Sequence, residues 1–230
     1  MRSSFRKQLP VRGKPAFTLA EMLVVIAIIT ILMTAGSIGI NSAGGKGVTS
    51  GVATAEALFD EARSTAIGKN TRSAVLIAKE LTNQPEDNLK KVIIATAAAG
   101  SGGSSVTWEF SSRGSKLGDR VYFSEKFSKK NHDSGTGDID VVTISGNNKP
   151  SLEGDYYIYQ FNSEGIPIDK GASFVIGSGA KPASSDTPVV TSEGRRDFGG
   201  FVIWRNGSTS VFRSPEQIFG QNGPDTGEEF

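Results

Sequence analysis

The sequence predicts an α+β fold, in which one long N-terminal helix packs on an antiparallel β-sheet. Between Val52 and Ile67, apolar residues recur at three- and four-residue steps, the period of one helix face. Beyond Asn70 they occur in short runs separated by Gly, Asn, Asp, Ser and Pro, as is typical of strands and turns. No two runs are separated by a helix-sized segment, so we expect hairpins or a meander and no βαβ units.

The chain begins with a basic segment that is followed by an apolar one. Residues 1–16 contain five Lys or Arg and no acid, and the 24 residues from Met22 to Gly45 carry no charge. As a helix, that uncharged stretch would extend about 36 Å, enough to cross a bilayer. Because positive flanks stay in the cytoplasm, we expect a single span with the N-terminus inside and the remainder outside.

Glu21 is the one acid at the cytoplasmic edge of the apolar segment. A carboxylate there is costly unless it finds a cation or reaches the lipid headgroups. A secretory signal has the same polarity, but its apolar core is shorter and carries no acid, and cleavage would have to fall near Ala35 or Ala43. A plain signal anchor is the stronger alternative, since it needs only hydrophobicity and flanking charge.

One motif distinguishes these alternatives. Lys14-Pro15-Ala16 followed by Phe17-Thr18-Leu19-Ala20-Glu21-Met22-Leu23-Val24-Val25-Ile26-Ala27-Ile28 resembles the type IV prepilin signal of pilins and type II secretion pseudopilins. The resemblance implies the pilin fold, cleavage by a prepilin peptidase between Ala16 and Phe17, and N-methylation of Phe17. Glu21 would become the fifth residue of the mature chain. The family usually has Gly before the cut, where this chain has Ala16.

The resemblance also implies a role for Glu21 in assembly. Cleavage would create an amine on Phe17, and two helices staggered by one turn could pair that amine with Glu21 of the neighbour. Such a buried pair would set the register between subunits. Small residues along the helix would allow close approach of like helices: Ala20, Ala27, Ala35 and Gly36.

Three parts are expected along the chain: a cytoplasmic leader (1–16), a transmembrane helix segment (17–45) and a periplasmic domain (46–230). Glycines from Gly36 to Gly47 weaken the helix where it leaves the membrane, and the helical pattern returns at Val48. Gly68 with Asn70 predicts the end of this second helix. Its apolar stripe should form the core against the sheet: Val52, Ala55, Leu58, Phe59, Ala62, Ala66 and Ile67.

Nine strands are predicted in the periplasmic domain. They are Ser73–Lys79, Lys91–Ala95, Ser105–Phe110, Arg120–Ser124, Ile139–Ile144, Tyr156–Phe161, Ala172–Ile176, Phe198–Trp204 and Ser208–Arg213. Residues Ala57–Ile67 with Ala74–Ile77, Tyr159–Pro167 and Val202–Val211 are similar to minor pseudopilins of the H type. The long inserts between strands resemble those of prepilin-type cassette proteins.

Composition argues against several other functions. Residues 17–230 carry 20 Lys or Arg and 24 Asp or Glu, so no nucleic-acid partner is expected. The absence of Cys excludes disulfides and thiolate metal sites. His132, the single histidine, lies in a hydrophilic loop and is expected to be solvent-exposed, which leaves no catalytic triad and no zinc site. We expect no enzyme activity and no cofactor; acids in the tail 220–230 are a weak calcium candidate and are better explained as solvated charges.

The sequence therefore predicts a minor subunit of a type II secretion pseudopilus or type IV pilus. Its expected partners are a prepilin peptidase, the inner membrane, and other pilin or pseudopilin subunits contacted through the N-terminal helix. Two alternatives stay open: a major pilin subunit, and a signal-anchored periplasmic enzyme or binding domain that does not polymerise. A convergent polar pocket would favour the anchored domain, and a bare sheet face would favour the fibre subunit.

Overall fold

Two helical segments and ten strands make up the described fold. The computed structural model describes residues 19–28, 44–98, 106–145, 149–169, 171–180, 188–189 and 197–212. The chain divides into two units, Met1–Ser42 and Ala43–Phe230. In the first unit, residues 19–28 form helix α1. The second unit contains helix α2 (Gly44–Lys69) and all the described strands.

All nine predicted strands are present, and one further strand, the two-residue β4, is not predicted by the sequence pattern. Two short 3₁₀ turns, Pro85–Asp87 and Pro150–Leu152, follow β1 and precede β7. The strands are β1 (Ser73–Leu81), β2 (Lys91–Ala97), β3 (Trp108–Phe110), β4 (Ser115–Lys116), β5 (Val121–Phe123), β6 (Val141–Ile144), β7 (Gly154–Phe161), β8 (Ala172–Ser178), β9 (Phe198–Ile203) and β10 (Thr209–Phe212).

The strands form two antiparallel sheets, so the prediction of a single sheet is wrong. The six-stranded sheet has the order β3-β2-β1-β7-β6, with β4 also beside β2, and the four-stranded sheet has the order β10-β9-β8-β5. In the first, Val75 lies opposite Tyr159, and in the second, Val121 lies opposite Ser178. Both pairings join segments far apart in sequence, whereas a strand pattern identifies strands without their partners. The α+β class and the antiparallel pairing are confirmed.

The main core lies between α2 and one face of each sheet. Phe59 is at its centre, with its ring centroid 4.6 Å from Phe174, 5.0 Å from Phe201 and 5.6 Å from Tyr159. A single helix therefore contacts both sheets. Ile67 departs from the prediction, since 53% of it is exposed at the end of the helix. The other predicted stripe residues are buried: Val52, Ala55, Leu58, Phe59, Ala62 and Ala66.

The opposite face of each sheet is also covered. On the six-stranded sheet, Leu76, Ile93 and Tyr156 are buried in a second cluster that includes Trp108 and Leu152. Across the described residues, neither sheet therefore presents the bare face that would favour a fibre subunit. On the four-stranded sheet the covering cluster consists of Phe127, Val175, Phe198, Val202 and Phe212.

Helix α2 begins at Gly44, four residues before the apolar pattern predicts its start. Glycines lower the helix propensity of this first part, but they also allow it to approach β5. A Cβ atom on Gly51 would lie 2.7 Å from Val121 Cγ1, and one on Gly47 would lie 3.4 Å from Val121 Cγ2. Packing against β5 thus outweighs propensity at this end of the helix.

The end of α2 follows the prediction at Asn70. Asn70 adopts a left-handed backbone with φ 49°. Its N–H donates to the Ile67 carbonyl at 3.2 Å, and the Thr71 N–H donates to the Ala66 carbonyl at 3.2 Å. These two bonds form a Schellman cap, which satisfies the last carbonyls of the helix.

Arg63 of α2 connects two turns that belong to different parts of the fold. Its Nε donates to the Gly165 carbonyl at 3.1 Å, between β7 and β8, and its Nη2 donates to the Asn206 carbonyl at 3.0 Å, between β9 and β10. Gly207 has φ +76°, and a Cβ atom there would lie 2.7 Å from Arg63 Nε. The guanidinium therefore occupies space that depends on glycine in the turn.

Candidate functional site

Helix α1 is apolar on all sides. Leu19, Val24 and Val25 are 83%, 57% and 49% exposed, and they project in different directions around the helix. A helix that is apolar all round needs an apolar environment on every side. Among the described residues, no helix combines the length and apolar content that a membrane span requires.

Glu21 is the only charged residue of α1, and its side chain is exposed. Val24 and Val25, one turn further along, are the side chains that neighbour it on the helix surface. The carboxylate is thus set within apolar surface, where an ion pair is stronger than in water. Ala16 and Phe17, the predicted cleavage residues, lie outside the described residues, as do Ala35 and Gly36.

The small residues of α1 form one side of it. Ala20 and Ala27 are seven residues apart, which places them within about 20° of each other around the helix axis. Their short side chains leave the backbone accessible to another helix along this side.

Comparison with known families identifies the N-terminal segment. Residues 12–37 match the family described as "Prokaryotic N-terminal methylation motif". The N-terminal segment carries a methylation motif. The matched range contains Ala16, Phe17 and Glu21, and the predicted resemblance to type IV prepilins and pseudopilins is confirmed for this segment.

Solved structures of two minor subunits match over most of this chain, at low identity and low TM-score. The type IV minor pilin FimU of Pseudomonas aeruginosa is 13% identical, with 75% of this chain and 95% of that chain covered and a TM-score of 0.38. The minor pseudopilin EpsH from the type II secretion system of Vibrio cholerae is 12% identical, with 75% and 97% covered and a TM-score of 0.39. No curated protein matches the chain.

The chain also contains a cleft of about 530 Å³ in the unit Ala43–Phe230. Its apolar lining comes from both sheets and from the segments just before β2 and β6: Ile77, Leu89, Phe123, Ile139, Val141 and Phe174. Its polar lining consists of Lys79, Ser124, Glu125, Lys126, Ser128, Lys129, Asp138 and Tyr157. The sequence contains no signal for this cleft, because its residues lie on segments that only the fold brings together.

Most polar groups of the cleft for which a contact is described are paired with each other. The Tyr157 hydroxyl donates to Glu125 Oε1 at 2.6 Å, and Lys129 Nζ donates to Asp138 Oδ1 at 2.7 Å. Burial and the hydrogen bond to Glu125 raise the pKa of Tyr157. No histidine lines the cleft among the described residues.

His132 is not the solvent-exposed loop residue that the sequence predicts. It is half-buried, with its ring stacked on Phe212 at 6.1 Å and edge-on to Trp204 at 6.4 Å between centroids. Burial lowers the pKa of His132, against the opposing effect of Asp133. Its Nδ1 atom and the Ser173 hydroxyl are the buried polar side-chain atoms of the described residues that have no hydrogen-bond partner. The polar sequence around His132 does not indicate this burial, because the rings that cover it come from the β9–β10 hairpin.

In the described part of the chain, no group of three or more His, Asp or Glu side chains is placed to hold a metal ion. The acidic tail 220–230, the weak calcium candidate, lies outside the described residues. The Asp87 carboxylate forms ion pairs with two cations, Lys91 and Lys116. Burial would raise the pKa of Asp87, but the hydrogen bonds from both lysines outweigh it and lower that pKa.

Proposed function

We propose that this protein is a prepilin-like structural subunit, a minor component of a type II secretion pseudopilus or type IV pilus. The observation that carries the proposal is the N-terminal methylation motif over residues 12–37, which includes a helix apolar on all sides with a single acid. Such a helix is suited to be stored in a bilayer and then buried among like helices.

The proposed path begins in the inner membrane. The basic leader 1–16 stays in the cytoplasm, residues 17–45 cross the bilayer, and residues 46–230 fold in the periplasm. A prepilin peptidase cleaves between Ala16 and Phe17, and the new Phe17 amine is methylated. The mature subunit then leaves the bilayer by packing its N-terminal helix against other pilin or pseudopilin subunits.

In this proposal Glu21 sets the register of the fibre. The exposed carboxylate among valines on α1 pairs with the Phe17 amine of a neighbouring subunit. Removing one member of a buried ion pair costs about 3–5 kcal/mol, because the other charge is left uncompensated. A contact repeated at every subunit is highly sensitive to a cost of that size.

Processing is tested by coexpression with a prepilin peptidase, followed by mass measurement of the N-terminus. We expect the mature chain to start at Phe17. The variant Ala16→Gly, which restores the usual family residue, should be cut at the same bond at least as fast. A cut near Ala35 or Ala43, or a chain that keeps Met1 in the presence of active peptidase, would contradict the proposal.

Assembly is tested by crosslinking the subunit to sheared fibres. Glu21→Leu makes α1 more apolar, so membrane insertion should be unimpaired, but incorporation should be lost. The matched control is Glu61→Leu, which replaces an exposed acid of α2 and should incorporate normally. At equal membrane abundance, equal crosslinking of wild type and Glu21→Leu would exclude an assembly role for Glu21.

The cleft favours a second candidate, a membrane-anchored binding domain that never polymerises. This candidate predicts that neither wild type nor Glu21→Leu crosslinks to fibres, although the domain is folded in the periplasm. Normal crosslinking of wild type excludes it.

A further inference from the structure

We propose that the cleft between the two sheets binds a small molecule that has an apolar body and a single carboxylate. This inference concerns residues far from the N-terminal motif in sequence, and it holds whether or not the subunit polymerises. Its volume of about 530 Å³ is within the range of small-molecule sites, roughly 300–1,000 Å³.

The apolar body is specified by the lining of the cleft. Side chains of Phe123 and Phe174 come from the four-stranded sheet, and Ile77 comes from the six-stranded sheet. The Tyr157 ring and the half-exposed Val141 form the part of the apolar lining nearest to solvent. Two aromatic rings with branched aliphatic groups favour a compact apolar or aryl group.

The carboxylate is specified by Lys79. Lys79 is half-buried as a residue, its ammonium lies 5.6 Å from the centroid of the Tyr157 ring, and it has no ion-pair partner among the described residues. Of the other charged groups of the lining, Glu125 accepts from the Tyr157 hydroxyl, Asp138 pairs with Lys129, and the Lys126 ammonium lies 5.0 Å from the centroid of the Phe127 ring. A cation over an apolar floor, without a counter-ion, is complementary to one negative charge on the ligand.

The two hydrogen-bonded pairs of the cleft, Tyr157 with Glu125 and Lys129 with Asp138, limit the charge and the number of polar groups that the ligand can have. Because the Tyr157 hydroxyl already donates to Glu125, it is not available as a second donor to the ligand. A polyanion such as a phosphate would need several donors, and repulsion by the Glu125 carboxylate grows with each negative charge on the ligand, so it is smallest for a monoanion. A monocarboxylate needs only the Lys79 ammonium, and an amine would be repelled by it.

The test uses the full chain in phosphatidylcholine nanodiscs with 3-(4-fluorophenyl)propanoate as the probe, observed by ¹⁹F NMR. Empty nanodiscs correct for partition of the probe into lipid. We expect saturable binding that is weakened about tenfold or more when the probe is replaced by its neutral amide, because a charge-assisted hydrogen bond is lost.

Two variants locate the binding. Lys79→Gln should weaken binding of the carboxylate probe about tenfold or more, and should leave the affinity for the neutral amide unchanged. Lys79→Arg should retain binding of the carboxylate probe. Lys149→Gln is the matched control, since Lys149 also lies over an aromatic ring, 5.9 Å from the Phe110 centroid, but outside the cleft. It should bind like wild type. Near-UV circular dichroism checks that each variant is folded.

Several results would overturn the proposal. These are the absence of saturable binding above that of empty nanodiscs, equal affinity for the carboxylate and the amide, or unchanged binding in folded Lys79→Gln. If Lys79→Gln does not fold, the comparison of carboxylate with amide on wild type and Lys79→Arg decides the question alone.

Discussion

Replacing Gly51 by Ala tests whether packing against β5 outweighs helix propensity in α2. Gly in a helix interior costs about 1 kcal/mol relative to Ala, so in open space the change would be stabilising. A Cβ atom on Gly51 would, however, lie 2.7 Å from Val121 Cγ1, well inside the optimum of roughly 3.5–4.0 Å between carbon atoms. Val121 is buried and β-branched, so it cannot rotate away freely. Overpacking of this kind costs about 1–3 kcal/mol, and we expect a net loss of about 1 kcal/mol from Gly51→Ala.

Gly68→Ala is the matched control in the same helix. Apart from its chain neighbours and the backbone of its own helix, no atom lies within 4 Å of the Cβ position there, and the backbone is not left-handed. This variant should gain about 0.5–1 kcal/mol in the free energy of unfolding. The same chemical change is therefore expected to have opposite signs at the two sites. The assay is urea denaturation of residues 43–230, followed through the fluorescence of Trp108 and Trp204.

A double variant identifies the contact responsible. Val121→Ala removes the methyl groups that overlap the new Cβ atom, so Gly51→Ala should be tolerated in its presence. We expect the double variant to be more stable than the sum of the single changes, by about 1 kcal/mol or more. Strict additivity, or a Gly51→Ala variant as stabilised as Gly68→Ala, would refute the argument from close packing.

Three further outcomes are expected. Residues 43–230 should fold alone as a soluble monomer with mixed helix and strand in circular dichroism, because α2 brings its own core face; aggregation at low temperature would contradict this. Arg63→Met should lower the free energy of unfolding by about 1–3 kcal/mol, since two turn carbonyls lose their donor, whereas Lys69→Met on exposed surface should change it by less than about 0.5 kcal/mol. Since burial lowers the pKa of His132 below its unfolded value of about 6.5, the unfolded state binds the proton more readily. The free energy of unfolding should therefore fall as the pH drops below about 6.5, and His132→Gln should remove this contribution. The check is urea unfolding of wild type and variant at pH values above and below about 6.5. If the free energy of unfolding depends on pH equally in both, His132 makes no such contribution.

The sequence predicts local structure better than pairing. All nine predicted strands are present, and most of their apolar residues are buried in one of the two sheets. The pairs Val75 with Tyr159 and Val121 with Ser178 join distant segments, and the two-residue period of a strand is the same whichever neighbour it has. One sheet was therefore expected where the fold has two.

The two candidate sites differ in the same way. The N-terminal site is a continuous motif around Glu21 and could be found by residue order alone. The cleft depends on Lys79 and Tyr157, which only the fold brings together. Ile67 and His132 show the limit of local patterns. Ile67 fits the helix period but lies at the end of α2, where the sheets do not cover it. His132 lies in a polar loop, yet its ring packs against Phe212 of β10.

The central position of β1 has a consequence for the order in which the chain acquires structure. β1 pairs with β2 soon after it is synthesised, but its other edge waits for β7, where Tyr159 follows Val75 by 84 residues. During synthesis the strand Ser73–Leu81, apolar over most of its length, therefore has one edge unpaired while the intervening residues emerge. Such an edge can pair with other chains, and long-range pairing slows folding. The growing polypeptide thus passes through a period in which one edge of a buried strand needs protection from pairing with other chains.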